Sequence, residues 1–174
     1  MPGRRYHRAM PQAGWKTSVT VAAIVEHDGR YLLVEEHTPD GLMLNNPAGH
    51  LDPGESPIDG VIRETLEESG RRFTPHALIG VYLSRAQRSE PPSDVTFLRL
   101  AFCGTVSEPL PGCALDPEIV RTLWLTPEEL RACRERHRSP LLMRCVDDHR
   151  AGRRFPLDLV FSDPSLHLPP LAPS

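Results

Sequence analysis

Glu64, Glu67 and Glu68 fall within one short stretch, Arg63-Glu64-Thr65-Leu66-Glu67-Glu68-Ser69-Gly70. Each residue of an α-helix advances about 100° around the axis, so positions i, i+3 and i+4 share a face. A helix over this stretch brings the three carboxylates together. Crowded like charges raise one another's pKa, which is unfavourable unless a cation neutralises them. Oxygen donors of this kind suit a hard divalent ion, Mg2+ first, with Mn2+ able to replace it. An acidic helix face alone is usually just solvated. Here a glycine-rich turn, Gly49-His50-Leu51-Asp52-Pro53-Gly54-Glu55, precedes the stretch and Arg63 stands at its head, which argues for chemistry.

The elements that position these residues follow from local signals. Ser56 suits a helix N-cap, Pro57 the first helical position, and Asp59 the positive helix end. Gly70 terminates the helix. Ile58, Val61, Ile62, Thr65 and Leu66 face mostly one way, so that side docks on a sheet while the acidic side opens to a cleft. Residues 18–25 and 31–35 read as strands joined by an Asp28-Gly29 hairpin turn. Pro39-Asp40-Gly41 is a second turn, before a short strand over 42–46. Residues 78–84 and 95–106 read as strands, and the polar segment 85–94, with Pro91-Pro92, as a surface loop. A further strand covers 120–125. Thr126-Pro127-Glu128-Glu129 is a capping box that opens a helix to about Arg136, and Ser139-Pro140 opens another ending near Gly152. The order of strands, helix, strands and helices predicts an α/β domain, an α/β/α sandwich around a mixed β-sheet.

The 174 residues suit one domain with flanking tails: a flexible arm over 1–16, a domain over 17–162 and a disordered Pro-rich tail over 163–174. A 39% hydrophobic content can fill a core, and a net charge of −3 makes no case for binding a nucleic-acid polymer. No apolar run is long enough for a membrane span, and no signal-peptide core precedes the domain. The cysteines at 103, 113, 133 and 145 form no Cys-x-x-Cys pair, so they read as reduced thiols of a cytoplasmic protein. The expected partner is a small phosphorylated molecule, taken by a monomer or a homodimer.

The pattern Gly49-x5-Glu55-x7-Arg63-Glu64-x2-Glu67-Glu68-x-Gly70 resembles the Nudix box, with every charged and glycine position filled. Two usually apolar positions carry Thr65 and Arg71. Further segments are similar to the bacterial NudJ-type phosphatases of that family: Val19-Thr20-Val21-Ala22, Asn46-Pro47-Ala48-Gly49-His50-Leu51, Phe97-Leu98-Arg99, Arg138-Ser139-Pro140-Leu141 and Phe155-Pro156-Leu157. The resemblance implies the Nudix α/β/α sandwich. It also implies Mg2+-dependent hydrolysis of a phosphoanhydride in a nucleoside di- or triphosphate, or in a pyrimidine or thiamine pyrophosphate. Glu64, Glu67 and Glu68 are then the metal ligands, joined by the backbone carbonyl of Ala48. Glu64 and Glu67 also enter the catalytic set.

Other roles stay open at the level of sequence. Arg63 either pairs with a carboxylate such as Glu55, ordering the loop, or touches substrate. The general base is a box glutamate or a distal residue, with Glu118 the first distal candidate and Asp116 the second, and a solvated carboxylate is the plain alternative for each. His50 is an acid/base or phosphate donor, or an ordinary loop histidine. Arg99, mid-strand among apolar neighbours, binds substrate phosphate or sits in a buried ion pair. Trp124 reads as core. Tyr82 and Phe97 read as core before base-stacking, Glu35-Glu36 as a surface pair, and Arg153-Arg154 as a solvated turn. Two competing functions remain: a pyrophosphatase of ADP-ribose or another nucleoside diphosphate-sugar, and a non-catalytic nucleotide sensor on the same fold.

Overall fold

Strand β1 (Trp15–His27) shows in its own alternation how the molecule is layered. Successive side chains of a strand point to opposite faces. Val21, Ala23 and Val25 enter one buried cluster, with Val61, Leu78 and Phe102. Ala22 and Ile24 enter the other, with Leu130, Leu142 and Val146. The sheet is therefore covered on both faces, which makes the expected α/β/α sandwich. The structure, a computed structural model, describes residues 15–89 and 92–168.

The chain continues through β2 (Arg30–Thr38), β3 (Gly41–Asn45), β4 (Ala48–His50) and helix α1 (Pro57–Ser69). Strands β5 (Phe73–Ser89), β6 (Pro92–Val106) and β7 (Ile119–Leu125) follow, then α2 (Pro127–Ala132) and α3 (Leu141–Arg150). The sheet runs β3-β2-β1-β6-β5, with β4 on β1 and β7 on β2. Among the described strand pairs only β1–β6 is parallel, setting Thr20 opposite Arg99, and this makes the sheet mixed. Thr20 is also opposite His50 on β4, so one β1 position meets both the box loop and β6.

The predicted turns and caps form. Asp28 and Gly29 both have positive φ, 49° and 76°, as a tight hairpin turn requires. Ser56 caps α1 by accepting the Asp59 N–H, and Gly70 closes it in the left-handed region with φ 64°. Thr126 and Glu129 make the reciprocal capping box of α2. Thr65 is fully buried and donates to the Val61 carbonyl, so this polar residue fits an apolar box position. Arg71 lies over Trp124 at 5.7 Å and donates to the Ser107 carbonyl, which fits the second exception.

Several expectations are corrected. Residues 85–89 and 92–94 are not a loop: β5 and β6 run on through them as paired strands, with Arg85 clamped on Asp94 at 2.7 Å and Ala86 opposite Val95. Cross-strand pairing carries these polar residues, and a scan for apolar alternation misses that. Pro91 lies outside the described residues. Glu35 and Glu36 are not surface residues, each being 2% exposed. Arg121 and Arg136 bind Glu35, and Arg138 binds Glu36; all three come from segments distant in the chain. Trp15 and Lys16 belong to β1 rather than to an arm, pairing with Asp94 and Val95; residues 1–14 of that arm lie outside the described residues. Within the expected disordered tail, Pro164–His167 forms a 3-10 turn capped by Asp163, and His167 Nδ1 meets the Gly54 carbonyl at 2.9 Å. Residues 169–174 of that tail lie outside the described residues. The four cysteines are free, with Cys103 and Cys145 buried.

Candidate active site

Helix α1 presents its box residues to β4, and the two are locked at Glu68. The Ala48 N–H donates to Glu68 Oε2 at 2.8 Å. Burial pushes the Glu68 carboxyl up to about 9, with Glu36, Glu64 and Asp116 adding to the rise and the Ala48 N–H opposing it. Burial likewise raises Glu64, against the pull of Arg63. Gly49 is needed beside them, because a Cβ there would lie 2.1 Å from the Glu64 carboxyl carbon.

Arg63 settles into the first of its two readings. Its Nε and Nη2 donate to the two oxygens of Glu55 at 2.7 and 2.8 Å, the bidentate fork that only a guanidinium offers. Its Nη2 also donates to the His50 carbonyl at 3.0 Å. The loop is thereby tied to the helix. Its Nη1 reaches Glu64 and Glu67, both at 2.8 Å. Arg63 holds Glu55 below the usual carboxylate range.

Among the described residues, no three acidic, histidine or cysteine side chains already converge as a cation cage. Arg63 draws Glu64 and Glu67 onto itself, and Glu68 turns to Ala48. The donor set still fits a hard divalent cation. It consists of carboxylate oxygens, and its most buried member, Glu68, is held away from its charged form without one. Mg2+ keeps several waters and needs few protein ligands.

Next to the carboxylates opens a cleft of about 250 Å³ lined by Thr20, Asn45, Gly49, Phe97, Arg99 and Arg138 among others. Arg99 is 8% exposed, and its Nε and Nη1 are buried without a hydrogen-bond partner. Among the described residues it has no ion pair, so the buried-pair reading fails. Burial lowers its pKa; Arg138 adds to that, while Cys145, Glu68 and Glu36 oppose it. His50 is exposed, and its ring lies 6.2 Å from that of Phe97. Phe97 thus belongs to the cleft rather than the core, while Tyr82 packs on the core and donates to Asp148 at 3.0 Å.

The NUDIX domain model matches residues 15–145. The chain belongs to the Nudix hydrolase family. Phosphatase NudJ of Escherichia coli is 31% identical over 146 residues, which cover 84% of this chain and 92% of that one. A Nudix hydrolase from Nitrosomonas europaea is 45% identical, with a TM-score of 0.76, covering 85% of this chain and 98% of that one. No described helix is long and apolar enough to cross a membrane.

Within this Nudix hydrolase, the two distal acids sit differently. Asp116 donates its N–H to the Glu67 carbonyl at 3.0 Å, and its charge bears on both Glu64 and Glu68. Glu118 is exposed; its carbonyl accepts the His37 N–H, and its charge bears on Glu36. Asp116 is the distal acid nearer the box carboxylates. Sequence reasoning assigned Thr20, Asn45, Glu36 and Arg138 no role in the site. The segments Val19-Thr20-Val21-Ala22 and Arg138-Ser139-Pro140-Leu141 had a signal, and that was resemblance alone.

Proposed function

We propose that this Nudix hydrolase cleaves a phosphoanhydride of a nucleoside di- or triphosphate, or of a pyrimidine or thiamine pyrophosphate, in the manner of the NudJ-type phosphatases. The observation carrying this reading is the buried Glu68 of an acidic helix face opening beside a cleft that holds an unpaired arginine. Nudix hydrolases act on small phosphorylated substrates and generally use divalent metals. We take the metal here to be Mg2+, with Mn2+ as a substitute, held by Glu64, Glu67, Glu68 and the Ala48 carbonyl. When bound, such an ion neutralises phosphoryl oxygens and lowers the pKa of water.

The chain's own residues do the rest. Arg99 donates to a phosphoryl oxygen that enters the cleft, and this satisfies its buried N–H groups. His50, exposed at the rim, is a second donor to the substrate. Arg63 holds the loop and helix in register and releases Glu64 and Glu67 when positive charge replaces it. Glu67, the most exposed of the three, takes the proton from the attacking water, with Asp116 placed to assist it and Glu118 farther out. The likeness to phosphatase NudJ favours phosphate release from a nucleotide or pyrimidine pyrophosphate over cleavage of a nucleoside diphosphate-sugar. We place the enzyme in the cytoplasm, acting as a monomer or homodimer on a small phosphorylated molecule.

The test is a phosphate-release screen over nucleoside di- and triphosphates, thiamine pyrophosphate and ADP-ribose, with Mg2+ and with EDTA. Metal-dependent phosphate release from the first groups is expected. AMP formed from ADP-ribose faster than phosphate from any nucleotide would move the assignment to the sugar-linked class. No turnover anywhere would leave the sensor reading.

A further inference from the structure

The cleft beside the box carboxylates carries three arginines, Arg85, Arg99 and Arg138, and no carboxylate among the described residues that line it. The three differ in how far their guanidinium groups are already engaged. Arg85 gives Nε and Nη2 to Asp94, at 2.7 and 2.5 Å. Arg99 has Nε and Nη1 buried without a partner. Arg138 stands between these extremes. Among the described residues, its one side-chain hydrogen bond runs from Nη1 to Glu36. The Glu36 side chain is 3% exposed and that of Arg138 46%. The pair is thus rooted in the core at its acidic end and open to the cleft at its basic end. The backbone is pinned as well. The Arg138 N–H donates to the Leu44 carbonyl at 2.9 Å, and the neighbouring His137 ring meets the Leu130 carbonyl at 3.0 Å. A guanidinium anchored through one nitrogen keeps further N–H donors for a second acceptor. Burial lowers the pKa of Arg99 first, and the charge of Arg138 adds to that. Two cations on one cleft repel until an anion reaches both.

We propose that Arg138 is a specificity-determining residue of the cleft, and that it joins Arg99 in selecting ligands with two linked phosphoryl groups over ligands with one. This rests on the cleft being the substrate cleft of the hydrolase. A phosphomonoester offers one tetrahedral group, which satisfies Arg99 and leaves Arg138 in water. A diphosphate spreads its charge over two groups, so both guanidinium groups pair at once and their mutual repulsion is relieved. Hydrogen bonds between charged partners are about twice as strong as neutral ones, so the second pairing adds real discrimination. Cleavage of the linkage divides the two groups, and a product that keeps one of them is held more weakly than the substrate.

Equilibrium binding of CMP and of α,β-methylene-CDP, whose phosphorus linkage cannot be hydrolysed, to the full-length protein in EDTA tests this without turnover. In EDTA no cation bridges the phosphoryl groups, so the arginines supply the difference. The methylene diphosphate should bind at least about tenfold more tightly than CMP. Arg138→Met should cut that ratio to about threefold or less. A merely structural pair gives a different pattern. Arg138→Met alone leaves Glu36 buried without its cation, so the melting temperature falls. Combining Glu36→Gln with Arg138→Met removes both charges and returns the melting temperature toward wild type. The ratio should stay low in that double variant; its recovery along with the melting temperature would reduce the pair to a structural one and overturn the proposal. Should Arg138→Met alone fail to fold, the double variant carries the test. Equal binding of the two ligands to the wild-type protein, no binding of either, or a ratio that survives Arg138→Met also overturns it. Phosphoanhydride hydrolysis with a ratio indifferent to Arg138 would remove this inference and leave the proposed function standing. An Arg138-dependent ratio without any hydrolysis would do the reverse.

Discussion

Glu68 combines the two properties that define the site: it is the most buried box carboxylate, and it anchors Ala48. Its neutral amide counterpart keeps an acceptor for the Ala48 N–H and removes the buried charge. Glu68→Gln should therefore abolish most metal-dependent activity while the metal-free protein melts at the same temperature or higher. Near wild-type turnover in this variant would sink the metal assignment. Gly49 makes a second prediction at this scale. Gly49→Ala forces the Glu64 carboxyl aside, because the new Cβ would overlap it. Displacing a catalytic group by about 1 Å costs on the order of 100-fold in rate. We expect kcat to fall by roughly that factor with circular dichroism unchanged. Arg63 shows why single-residue reasoning reached this far. Its partner Glu55 is eight positions away and Glu67 only four, so helix and loop geometry alone bring them together.

At the scale of elements, caps and hydrophobic stripes behaved as local physics requires. The capping box of α2 predicts a stability change without a functional one. Thr126→Ala removes the acceptor for the Glu129 N–H and should cost about 1 kcal/mol in urea unfolding. Activity should stay at the wild-type level, since α2 lies on the sheet face opposite α1. The β5–β6 hairpin shows where local reading stops. Residues 85–89 carry no apolar alternation, yet they pair in register with β6 up to Ser89 opposite Pro92. Strand pairing satisfies backbone groups whatever the side chains are. The buried glutamates of β2 make the same point. Glu35 is held down by Arg121 and Arg136, and a scan for charge on strands reads it as surface because the arginines arrive from β7 and from the turn after α2.

For the whole molecule, proton and metal binding are linked through the acidic face. Glu68 has a folded pKa near 9 against an ordinary value of 4.5, and Glu64 is raised in the same direction. A group raised in this way contributes stability that is full below its unfolded pKa and is lost as pH climbs through the folded one. Through Glu68 the metal-free protein should thus weaken between about pH 4.5 and about pH 9, by at most ~1.4 kcal/mol per pH unit, with Glu64 adding in the same direction. A divalent cation binds the ionised carboxylates and competes with protons. The rise in melting temperature on adding Mg2+ should then be larger near pH 8.5 than near pH 6. An increment that is independent of pH, or larger at the acidic end, would show that Glu68 does not take part in cation binding.

The sequence by itself determined the acidic helix, its caps and the reaction class, since the helix and caps depend on contacts within about two turns of chain and the class on the box that holds them. It also predicted the layering, from the order of strands, helix, strands and helices. Only the tertiary structure decided what stands beside the carboxylates. Parallel pairing of β1 with β6 sets Thr20 opposite Arg99, and the turn before α3 brings Arg138 onto Glu36. That Asp116 lies against α1 while the Glu118 carbonyl meets β2 also needed the fold. Such contacts join segments up to a hundred residues apart. Burial and pairing at that range are properties of the assembled sheet, and no spacing along the chain encodes them.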